Sequence, residues 1–382
     1  MLSIPPSRLP DIGVTIFDIM TKMANDHGAL NLSQGFPDFD VDPKLVNLVH
    51  DQMMKGYNQY ATLAGIAPLR QILSQIIFKT YGRNINWETD ITVTSGATEG
   101  IFACVSAFIN PGDEVILFDP AYDSYDPAIR LNGGIPVQIN MTYPGFSIDW
   151  DLVRKKITKR TRMIMVNTPH NPSGTVLKRS DFEELEKIAL QHNLVVVSDE
   201  VYERLMYDGQ PHESALNLPG LANQSLAIFS FGKTFHATGW KMGYVVGPEH
   251  LTREVRKTHQ FIVYSVNTPI QYALAEYLKD PENYINLGKF YQRKRDFFLE
   301  QTHGSSLEPL KSEGSYFQVF SYRNMSTKPD AEMAEEMTKR HKVACIPVSV
   351  FYKDKTDNRL LRFCFAKKEE TLAKAASVLR KL

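Results

Sequence analysis

Six short apolar runs between Ile91 and Val246 constrain the fold of this chain more than any other feature. They cover residues 91–94, 114–118, 162–166, 194–197, 226–229 and 242–246. Nearly every position in them is apolar, whereas a strand with one face in water would alternate apolar and polar residues. The runs therefore predict strands that are covered on both faces, with helices on both sides of one sheet.

Segments between these runs carry apolar residues at helical spacing. Residues 181–190 are an example, and Ser180 is expected to cap that helix. Strands that alternate with helices predict βαβ units and a mostly parallel, doubly wound sheet of the α/β class. In such sheets ligands bind beyond the carboxyl ends of the strands, so the polar residues that follow each run are candidate site residues.

The length of 382 residues allows two domains. Residues 45–280 are predicted to form a large domain around the sheet. Residues 1–44, which look irregular and rich in Pro and Gly, are predicted to join residues 281–382 in a smaller α/β domain. In that second part we expect a charged helix near residues 291–295 and strands over residues 315–320 and 360–365.

Composition and charge exclude several classes of protein. Lys plus Arg and Asp plus Glu each number 43, so the formal net charge is zero, unlike the basic surface of a nucleic-acid-binding protein. No apolar run approaches the roughly 18 residues of a membrane helix. Residues 1–6 lack the charged and apolar regions of a signal peptide. The three cysteines are far apart and indicate reduced, packed thiols in a cytoplasmic protein.

Lys233 is the leading candidate for a reactive group. It closes the motif Ser-Phe-Gly-Lys at residues 230–233, just after a predicted strand. An ammonium that is partly removed from water loses pKa, so its amine becomes nucleophilic near neutral pH and can condense with an aldehyde. The Ser230 hydroxyl and the second cation, Lys241, would suit a phosphate on the same ligand. Pyridoxal phosphate (PLP) fits this set, and the alternative is a surface lysine in a Gly-rich turn.

Two further motifs follow the first two predicted strands. Gly96, Ala97 and Thr98 open a helix that is expected to begin near Glu99, and its N-terminus could bind phosphate. The same residues could form an ordinary tight turn. Tyr122 could stack on a heteroaromatic ring, or it could be a core tyrosine.

Two more motifs follow the third and fourth predicted strands. Asn171 lies in a loop of Asn, Pro and Gly, where its amide could donate to a phenolate oxygen or only shape a turn, and His170 is interpreted as structural. Asp199 ends a buried strand and needs a cation or donor to stay charged. A protonated pyridine nitrogen would be such a partner, although Asp199 could also cap the next helix. Tyr202 could add a hydroxyl to the phenolate.

The order of these motifs resembles that of the class I/II, fold-type-I PLP-dependent aminotransferases, over essentially the whole chain. Within that family the chain is most similar to the bacterial methionine and the kynurenine/glutamine aminotransferase branch. The motifs Gln-Gly-Phe-Pro-Asp-Phe at residues 34–39, Thr-Pro-His-Asn-Pro at 168–172 and Phe-Cys-Phe-Ala-Lys-Lys at 363–368 have close counterparts there.

The resemblance implies a role for each candidate. Lys233 would bond to the cofactor and shuttle the proton, and Asp199 would hold the pyridine N–H. Asn171 and Tyr202 would hold the ring oxygen, and Tyr122 would stack on the ring. The phosphate would be bound by Gly96, Ala97, Thr98, Ser230 and Lys241, joined by Tyr60 from the partner subunit of a homodimer with shared sites.

Three further expectations come with the resemblance. Arg362 and Asn171, with the Gly35 backbone, would hold the α-carboxylate of the substrate, and no metal is involved. Many members have arginine where this chain has Lys241, which offers a point charge in place of a bidentate fork. The peptide bonds before Pro120 and Pro172 are expected to be cis, because both lie in tight turns beside a cofactor contact.

The implied activity is ping-pong transamination between an amino acid and a 2-oxo acid. Aspartate-specific members bring a second arginine to the substrate, but the corresponding segment in this chain, residues 261–268, has no cation. An unpaired buried carboxylate would cost several kcal/mol, so we expect a hydrophobic or aromatic donor. Methionine is the leading candidate, followed by phenylalanine, tyrosine, kynurenine or glutamine.

Two alternative functions use the same cofactor. A β-lyase acting on cystathionine or cysteine S-conjugates would share all these residues. A PLP-sensing transcription regulator would add a DNA-binding domain, for which the roughly 30 residues before the family-like segment leave no room, and the neutral charge gives no support for DNA binding.

Overall fold

The computed structural model describes residues 6–382. The signal-peptide expectation for residues 1–6 therefore falls almost wholly outside the described residues. Among the residues that are described, no helix is both long and apolar enough to cross a membrane.

The strands and helices are numbered in chain order. The strands are β1 (Leu30–Asn31), β2 (Ile91–Thr94), β3 (Glu114–Asp119), β4 (Ile135–Asn140), β5 (Thr161–Asn167), β6 (Val195–Asp199), β7 (Ser225–Ser230), β8 (Gly243–Val246), β9 (Glu308–Pro309), β10 (Phe317–Ser321), β11 (Val343–Ala344), β12 (Ile346–Pro347) and β13 (Leu360–Cys364). The α-helices are α1 (Ile16–His27), α2 (Pro43–Met54), α3 (Ala67–Tyr81), α4 (Gly96–Phe108), α5 (Tyr125–Leu131), α6 (Trp150–Lys156), α7 (Arg179–His192), α8 (Pro219–Ala222), α9 (Phe231–Thr234), α10 (Glu249–Ile262), α11 (Thr268–Tyr277), α12 (Leu287–Thr302), α13 (Asp330–Lys339) and α14 (Glu369–Leu379). Short 3₁₀ helices cover Ala215–Asn217, Thr238–Trp240, Pro281–Asn283 and Val348–Phe351.

Strands β2 to β8 form one sheet in the order β2-β8-β7-β6-β5-β3-β4. Neighbouring strands are parallel except for β8, which runs antiparallel to both β2 and β7. All six predicted strands belong to this sheet, with bounds within two residues of those expected. The predicted α/β class with a mostly parallel sheet is confirmed.

Helices cover both faces of this sheet. Successive side chains of a strand point to opposite faces, so neighbouring residues of one strand pack against different helices. In β3, Ile116 packs in one buried cluster with Phe182 and Leu185 of α7. Its neighbour Leu117 packs in another cluster with Ile101 of α4. Burying each such side chain contributes about 1.5–3 kcal/mol, which fixes the strands whose ends carry the polar residues.

Two local expectations for this region need correction. The edge strand β4 was not predicted, because its sequence is only partly apolar and its first residue, Ile135, is 41% exposed. Ser180 does not cap α7, which already begins at Arg179. Instead, the Asp181 carboxylate accepts the Lys178 backbone N–H at 2.8 Å and closes the first turn.

A second, antiparallel sheet has the order β12-β13-β10-β9, and β1 pairs in parallel with β11. The strands expected near residues 315–320 and 360–365 are found as β10 and β13, and the charged helix is part of α12. Elements near the start of the chain thus join elements near its end, while the exact domain bounds stay a prediction.

The expectation that residues 1–44 are irregular is wrong for α1. The Thr15 hydroxyl accepts the Asp18 N–H at 3.1 Å at the start of this helix. Gly28, with φ of 60°, ends it in the left-handed conformation that glycine adopts without strain. Met20 and Ala24 bury one face, so a short amphipathic helix lies within a segment whose composition indicated a loop.

Candidate active site

A cleft of about 270 Å³ lies beyond the carboxyl ends of the central strands. Asn167, Asp199 and Ser230 are the last residues of β5, β6 and β7, and all three line it. Lys241 precedes β8, but it reaches the same edge because β8 runs in the opposite direction. Phe317 of β10 and Arg362 of β13 line the side formed by the second sheet.

The structure brings together all but one of the residues predicted for the site. Those that line the cleft are Gly35, Gly96, Ala97, Thr98, Tyr122, Asn171, Asp199, Tyr202, Ser230, Lys233, Lys241 and Arg362. Tyr60 does not line it. Its side chain is 82% exposed and meets Tyr264 edge to face, with 5.5 Å between ring centroids.

Lys233 lies in α9, a single helical turn directly after β7. The Ser230 hydroxyl caps this turn by accepting the Lys233 backbone N–H at 3.3 Å, and its own proton is free to donate to a ligand. Lys233 Nζ donates to the Gly35 carbonyl at 3.2 Å and to the Tyr316 hydroxyl at 3.0 Å. Burial, assisted by nearby cations, lowers the Lys233 pKa to about 8, so part of the amine is uncharged near neutral pH.

Asp199 is buried at the end of β6. Its Oδ2 accepts the Tyr125 hydroxyl at 2.6 Å, and its Oδ1 accepts the Val201 N–H at 3.3 Å. Both partners are neutral, and burial raises the Asp199 pKa to about 6. No helix begins directly after it, so the helix-cap alternative is wrong. The carboxylate is placed to receive a cationic N–H donor.

The turn before α4 forms a second polar corner of the cleft. The helix begins at Gly96, three residues earlier than expected. Gly96 has φ of 74°, and a Cβ there would lie 3.3 Å from Lys241 Cε and 3.4 Å from Lys241 Nζ. Glycine therefore leaves room for the lysine beside the free N–H groups of the helix N-terminus, which suits a phosphate.

Arg362 is fully buried on the opposite side. It donates to Asn171 Oδ1 at 2.7 Å and to the Ser33 carbonyl at 3.0 Å. Its Nε has no partner among residues 6–382, and the guanidinium lies 4.0 Å from the Phe317 ring centroid. Burial lowers the Arg362 pKa to about 10, so it stays charged at neutral pH. A buried cation with a free donor is suited to bind a carboxylate.

The contact with Arg362 also orients Asn171. Because Oδ1 accepts from the guanidinium, the amide nitrogen is left to donate to a ligand oxygen. Tyr202 lies edge-on to Tyr316, with 5.0 Å between centroids, and burial raises the Tyr202 pKa, so its hydroxyl stays a neutral donor. Tyr122 meets Tyr125 edge to face at 5.6 Å.

The loops around the site agree with two expectations. The peptide bonds before Pro120 and Pro172 are cis as predicted, and those before Pro144 and Pro169 are also cis. His170 contacts Ser173 at 2.7 Å and is buried away from the cleft lining, in agreement with its structural interpretation.

Sequence reasoning missed several residues of the site. Tyr125 lies in α5 and reaches Asp199 only through the fold. Phe17, Gln34 and Phe317 line the cleft from α1, the segment after β1 and β10. Gln34 begins the motif at residues 34–39, but no role was predicted for it. No local motif marks Phe17 or Phe317, because their positions depend on how the second sheet packs. Within residues 6–382, no group of three or more His, Cys, Asp or Glu side chains is placed to hold a metal ion.

The residues fit PLP on three observations of the structure. Asp199 is a buried carboxylate with neutral partners, as a ring N–H would require. Lys233 has a lowered pKa, as an amine that bonds to an aldehyde would require. Gly96 makes room for the Lys241 amine at a helix N-terminus, as a phosphate would require.

Comparison with known proteins agrees with this geometry. Residues 28–379 match the family described as aminotransferase class I and II. The chain is 46% identical to a methionine aminotransferase of Escherichia coli (strain K12), over 99% of this chain and 98% of that protein. A solved E. coli structure, described as identifying a methionine aminotransferase function, is also 46% identical, covers 100% of both chains and has a TM-score of 0.98.

More distant relatives are named for different substrates. The structure of an N-succinyldiaminopimelate aminotransferase from Mycobacterium tuberculosis has a TM-score of 0.94 at 35% identity and covers 99% of this chain and 100% of that one. Kynurenine–oxoglutarate transaminase 1 of Homo sapiens is 34% identical over 98% of this chain and 97% of that protein.

Proposed function

The chain belongs to the class I and II aminotransferases and is a PLP-dependent transaminase, and we propose that methionine is its preferred amino donor. Phenylalanine, tyrosine, kynurenine and glutamine are further donors in this proposal. A 2-oxo acid accepts the amino group in the second half of the reaction. The 46% identity to a methionine aminotransferase supports this ranking.

The lining of the cleft is the observation that carries the proposal. Phe17, Phe36 and Phe317 present aromatic side chains to it. Aromatic faces contact a thioether favourably, by about 0.3–1.5 kcal/mol. Among residues 6–382, the Lys and Arg side chains of the lining are Lys233, Lys241 and Arg362. We assign these to the reactive amine, the phosphate and the α-carboxylate, which leaves no cation for a second carboxylate on the substrate.

We assign the following roles to the site residues. PLP, when bound, supplies an aldehyde that bonds to amines and a ring that accepts electrons from the substrate Cα. Lys233 Nζ would bond to this aldehyde and would later take the proton from the substrate Cα. Charged Asp199 would pair with the ring N–H, and the Tyr125 hydroxyl donates to that carboxylate and holds it in place. Asn171 and Tyr202 would donate to the ring oxygen, and Tyr122 would stack on the ring.

The phosphate and carboxylate ends of the site are assigned in the same way. The N–H groups of Gly96, Ala97 and Thr98, with Ser230 and Lys241, would bind the phosphate. Arg362 and Asn171 bind the α-carboxylate beside the Gly35 backbone. In this assignment Cα would lie between the two walls of the cleft, within reach of Lys233 Nζ.

Steady-state kinetics test the donor preference. We expect kcat/KM for methionine to exceed that for aspartate by at least about 100-fold, because an unpaired buried carboxylate costs several kcal/mol. The measurement uses one common 2-oxo acid and compares methionine, phenylalanine, kynurenine, glutamine, aspartate and N-succinyldiaminopimelate. A preference for aspartate or N-succinyldiaminopimelate would overturn the proposal.

A second assay separates transamination from β-elimination. Cystathionine without a 2-oxo acid reports elimination through the pyruvate and thiol that are released. We expect elimination to be much slower than transamination of methionine, since the E. coli, M. tuberculosis and human relatives are all named as transaminases. Faster elimination would favour the β-lyase.

We also propose a homodimer with shared active sites. Tyr60 and Phe261 are 82% and 86% exposed, and Met54 is 75% exposed, so large apolar side chains are left uncovered on one chain. In the dimer, Tyr60 would reach the phosphate site of the neighbouring subunit. We expect Tyr60→Ala to weaken PLP retention, and an active monomer in sedimentation at assay concentration would contradict the dimer.

The expected cytoplasmic location and the two-domain division complete the proposal. Cys104, Cys345 and Cys364 are buried free thiols, which agrees with a reducing compartment.

The proposed large domain covers residues 45–280, and the small domain combines residues 1–44 with residues 281–382. Limited proteolysis that releases fragments cut near residues 44 and 280 would support these bounds.

A further inference from the structure

The Tyr316 hydroxyl lies against the reactive amine, although no motif marks this residue. Tyr316 directly precedes β10 and is fully buried. Its hydroxyl accepts a hydrogen bond from Lys233 Nζ at 3.0 Å and donates its own proton to the Gly35 carbonyl. The same carbonyl accepts from Lys233 Nζ at 3.2 Å. The three groups therefore form a closed triangle of hydrogen bonds.

The backbone around Tyr316 is firmly held. The Ser315 N–H donates to the Leu205 carbonyl at 3.1 Å, and the Tyr207 hydroxyl donates to the Ser315 carbonyl. The Tyr316 ring lies edge-on to Tyr202 at 5.0 Å and to Phe317 at 4.9 Å. A hydroxyl fixed in this way can hold a flexible lysine amine in one position.

The chemistry of the triangle suits a charged lysine. An ammonium has three donors and no acceptor, and two of the donors of Lys233 meet oxygen acceptors. Acceptors favour the charged form and oppose the effect of burial on the Lys233 pKa. Burial raises the Tyr316 pKa well above its usual value, so the tyrosine stays neutral and keeps its own proton.

We propose that Tyr316 is a further catalytic residue, whose hydroxyl, with the Gly35 carbonyl, holds the free amine of Lys233 while that amine carries the substrate proton. No proton passes through Tyr316, because its hydrogen is directed to Gly35. The inference rests on the proposed role of Lys233. It makes the Gly35 carbonyl and the loop before β10 part of the catalytic apparatus, in addition to the proposed role of the Gly35 backbone at the substrate carboxylate.

Tyr291 provides a matched control. It is fully buried in the same aromatic cluster, with its ring centroid 5.9 Å from that of Tyr316. Its hydroxyl has no hydrogen-bond partner among the described residues. Tyr316→Phe and Tyr291→Phe therefore remove the same atom from the same core, but only the first removes a contact with Lys233.

The first measurement uses the apoenzyme. Trace acetylation across pH, followed by peptide mass spectrometry, reports the titration of Lys233 independently of turnover. We expect Tyr316→Phe to move the Lys233 midpoint to lower pH, because the ammonium loses an acceptor. Tyr291→Phe should leave the midpoint unchanged. An unchanged midpoint in both variants would overturn the inference.

The second measurement uses the holoenzyme. In a stopped-flow half-reaction with methionine, Tyr316→Phe should lower the maximal rate constant about 10- to 100-fold, the range for a hydrogen bond to a charged group. The methionine concentration that gives half of this rate constant should change little. Tyr291→Phe should stay within about twofold of wild type. Equal losses in both variants would show a packing effect and would overturn the inference.

Borohydride reduction and peptide mapping distinguish failure of the Tyr316 inference from failure of the proposed function. Label on Lys233 combined with a Tyr316→Phe variant that behaves as wild type would refute only the role of Tyr316. Label on another lysine would refute the role of Lys233 and the inference with it.

Discussion

The two walls of the cleft differ in how their polar groups are satisfied. On the wall formed by the seven-stranded sheet, Asp199 has only neutral partners, and Lys241 lies beside a free helix N-terminus. On the opposite wall, Arg362 already donates hydrogen bonds to Asn171 and Ser33, and Tyr316 donates one to Gly35. The charged groups of the first wall lack charged partners, whereas the groups of the second already have hydrogen-bond partners, one of which, Asn171, comes from the loop after β5.

This difference indicates a division of labour between the walls. An uncompensated carboxylate and a free helix N-terminus are costly until a cofactor with matching charges binds, so the sheet wall is built for a resident group. A guanidinium that is fixed in place but keeps free N–H donors can bind and release a carboxylate at each turnover. If the division holds, mutations on each wall should separate cofactor binding from substrate binding.

Removing the Asp199 charge should have the largest effect. Asp199→Asn should retain some PLP but lose about 1,000-fold or more in kcat, because an unprotonated ring is a poorer electron acceptor. PLP absorbance and single-turnover rates measure the two quantities separately. Near-normal kcat would show that the carboxylate is only structural.

The same variant should be more stable than wild type without cofactor. The folded pKa of Asp199 is raised to about 6, so the contribution of this residue to the stability of the wild-type apoenzyme falls as pH rises from about 4 to 6. Asn carries no charge, so at pH 7 the variant should gain up to about 3 kcal/mol, and near pH 4 it should gain nothing. Thermal melts of both apoenzymes at the two pH values provide the check. A variant that melts lower at pH 7 would contradict the account.

Changing Arg362 should affect the substrate and spare the cofactor. Arg362→Lys should raise KM for methionine by about 10- to 100-fold, because a point charge replaces a fixed guanidinium. The PLP dissociation constant should stay within about threefold of wild type. Equal losses of PLP and substrate binding would show that the walls do not act separately.

A smaller effect is expected from changing a residue that supports residues 96–98, the proposed phosphate turn. Buried His259 contacts Glu99 Oε1 at 3.0 Å, and Glu99 Oε2 accepts the Ser95 N–H at 3.0 Å, just before Gly96. His259→Gln should weaken PLP binding to the apoenzyme by up to about 10-fold, the range for one hydrogen bond. Fluorescence titration of the apoenzyme with PLP gives the dissociation constant.

His212→Gln is the matched control for that variant. His212 contacts the buried Glu200 at 2.9 Å, a similar pair that does not touch the phosphate turn. Both variants should lose some stability, but the control should keep its PLP affinity within about twofold. The same loss of affinity in both would assign the effect to general destabilisation.

The sheet wall was more accessible to sequence reasoning than the opposite wall. Asp199 and Ser230 follow apolar runs, and the rule for parallel sheets places such residues at one edge. Lys241 precedes its strand, and it joins that edge only because β8 is antiparallel. The start of α4 was misplaced because Gly96 enters the helix at positive φ, which no sequence pattern reveals.

The opposite wall depends on contacts between distant segments. A Cβ at Gly35 would lie 2.9 Å from Phe317 Cζ, so a larger residue there would displace the ring of a residue from a distant part of the chain. Tyr316 and Tyr125 reach their partners in the same long-range manner. The roles of Gly35 and Arg362 came from family resemblance, and those of the two tyrosines required the coordinates.

The most direct test of the account concerns the lysine at which the two walls meet. Lys233 belongs to the sheet wall, and its Nζ donates hydrogen bonds to Gly35 and Tyr316 on the opposite wall. Borohydride treatment of the PLP-loaded enzyme, followed by peptide mapping, should place one pyridoxyl group per chain on Lys233. Lys233→Ala should abolish both the label and turnover. Label on any other lysine, or transamination by the variant at the wild-type rate, would contradict the central claim.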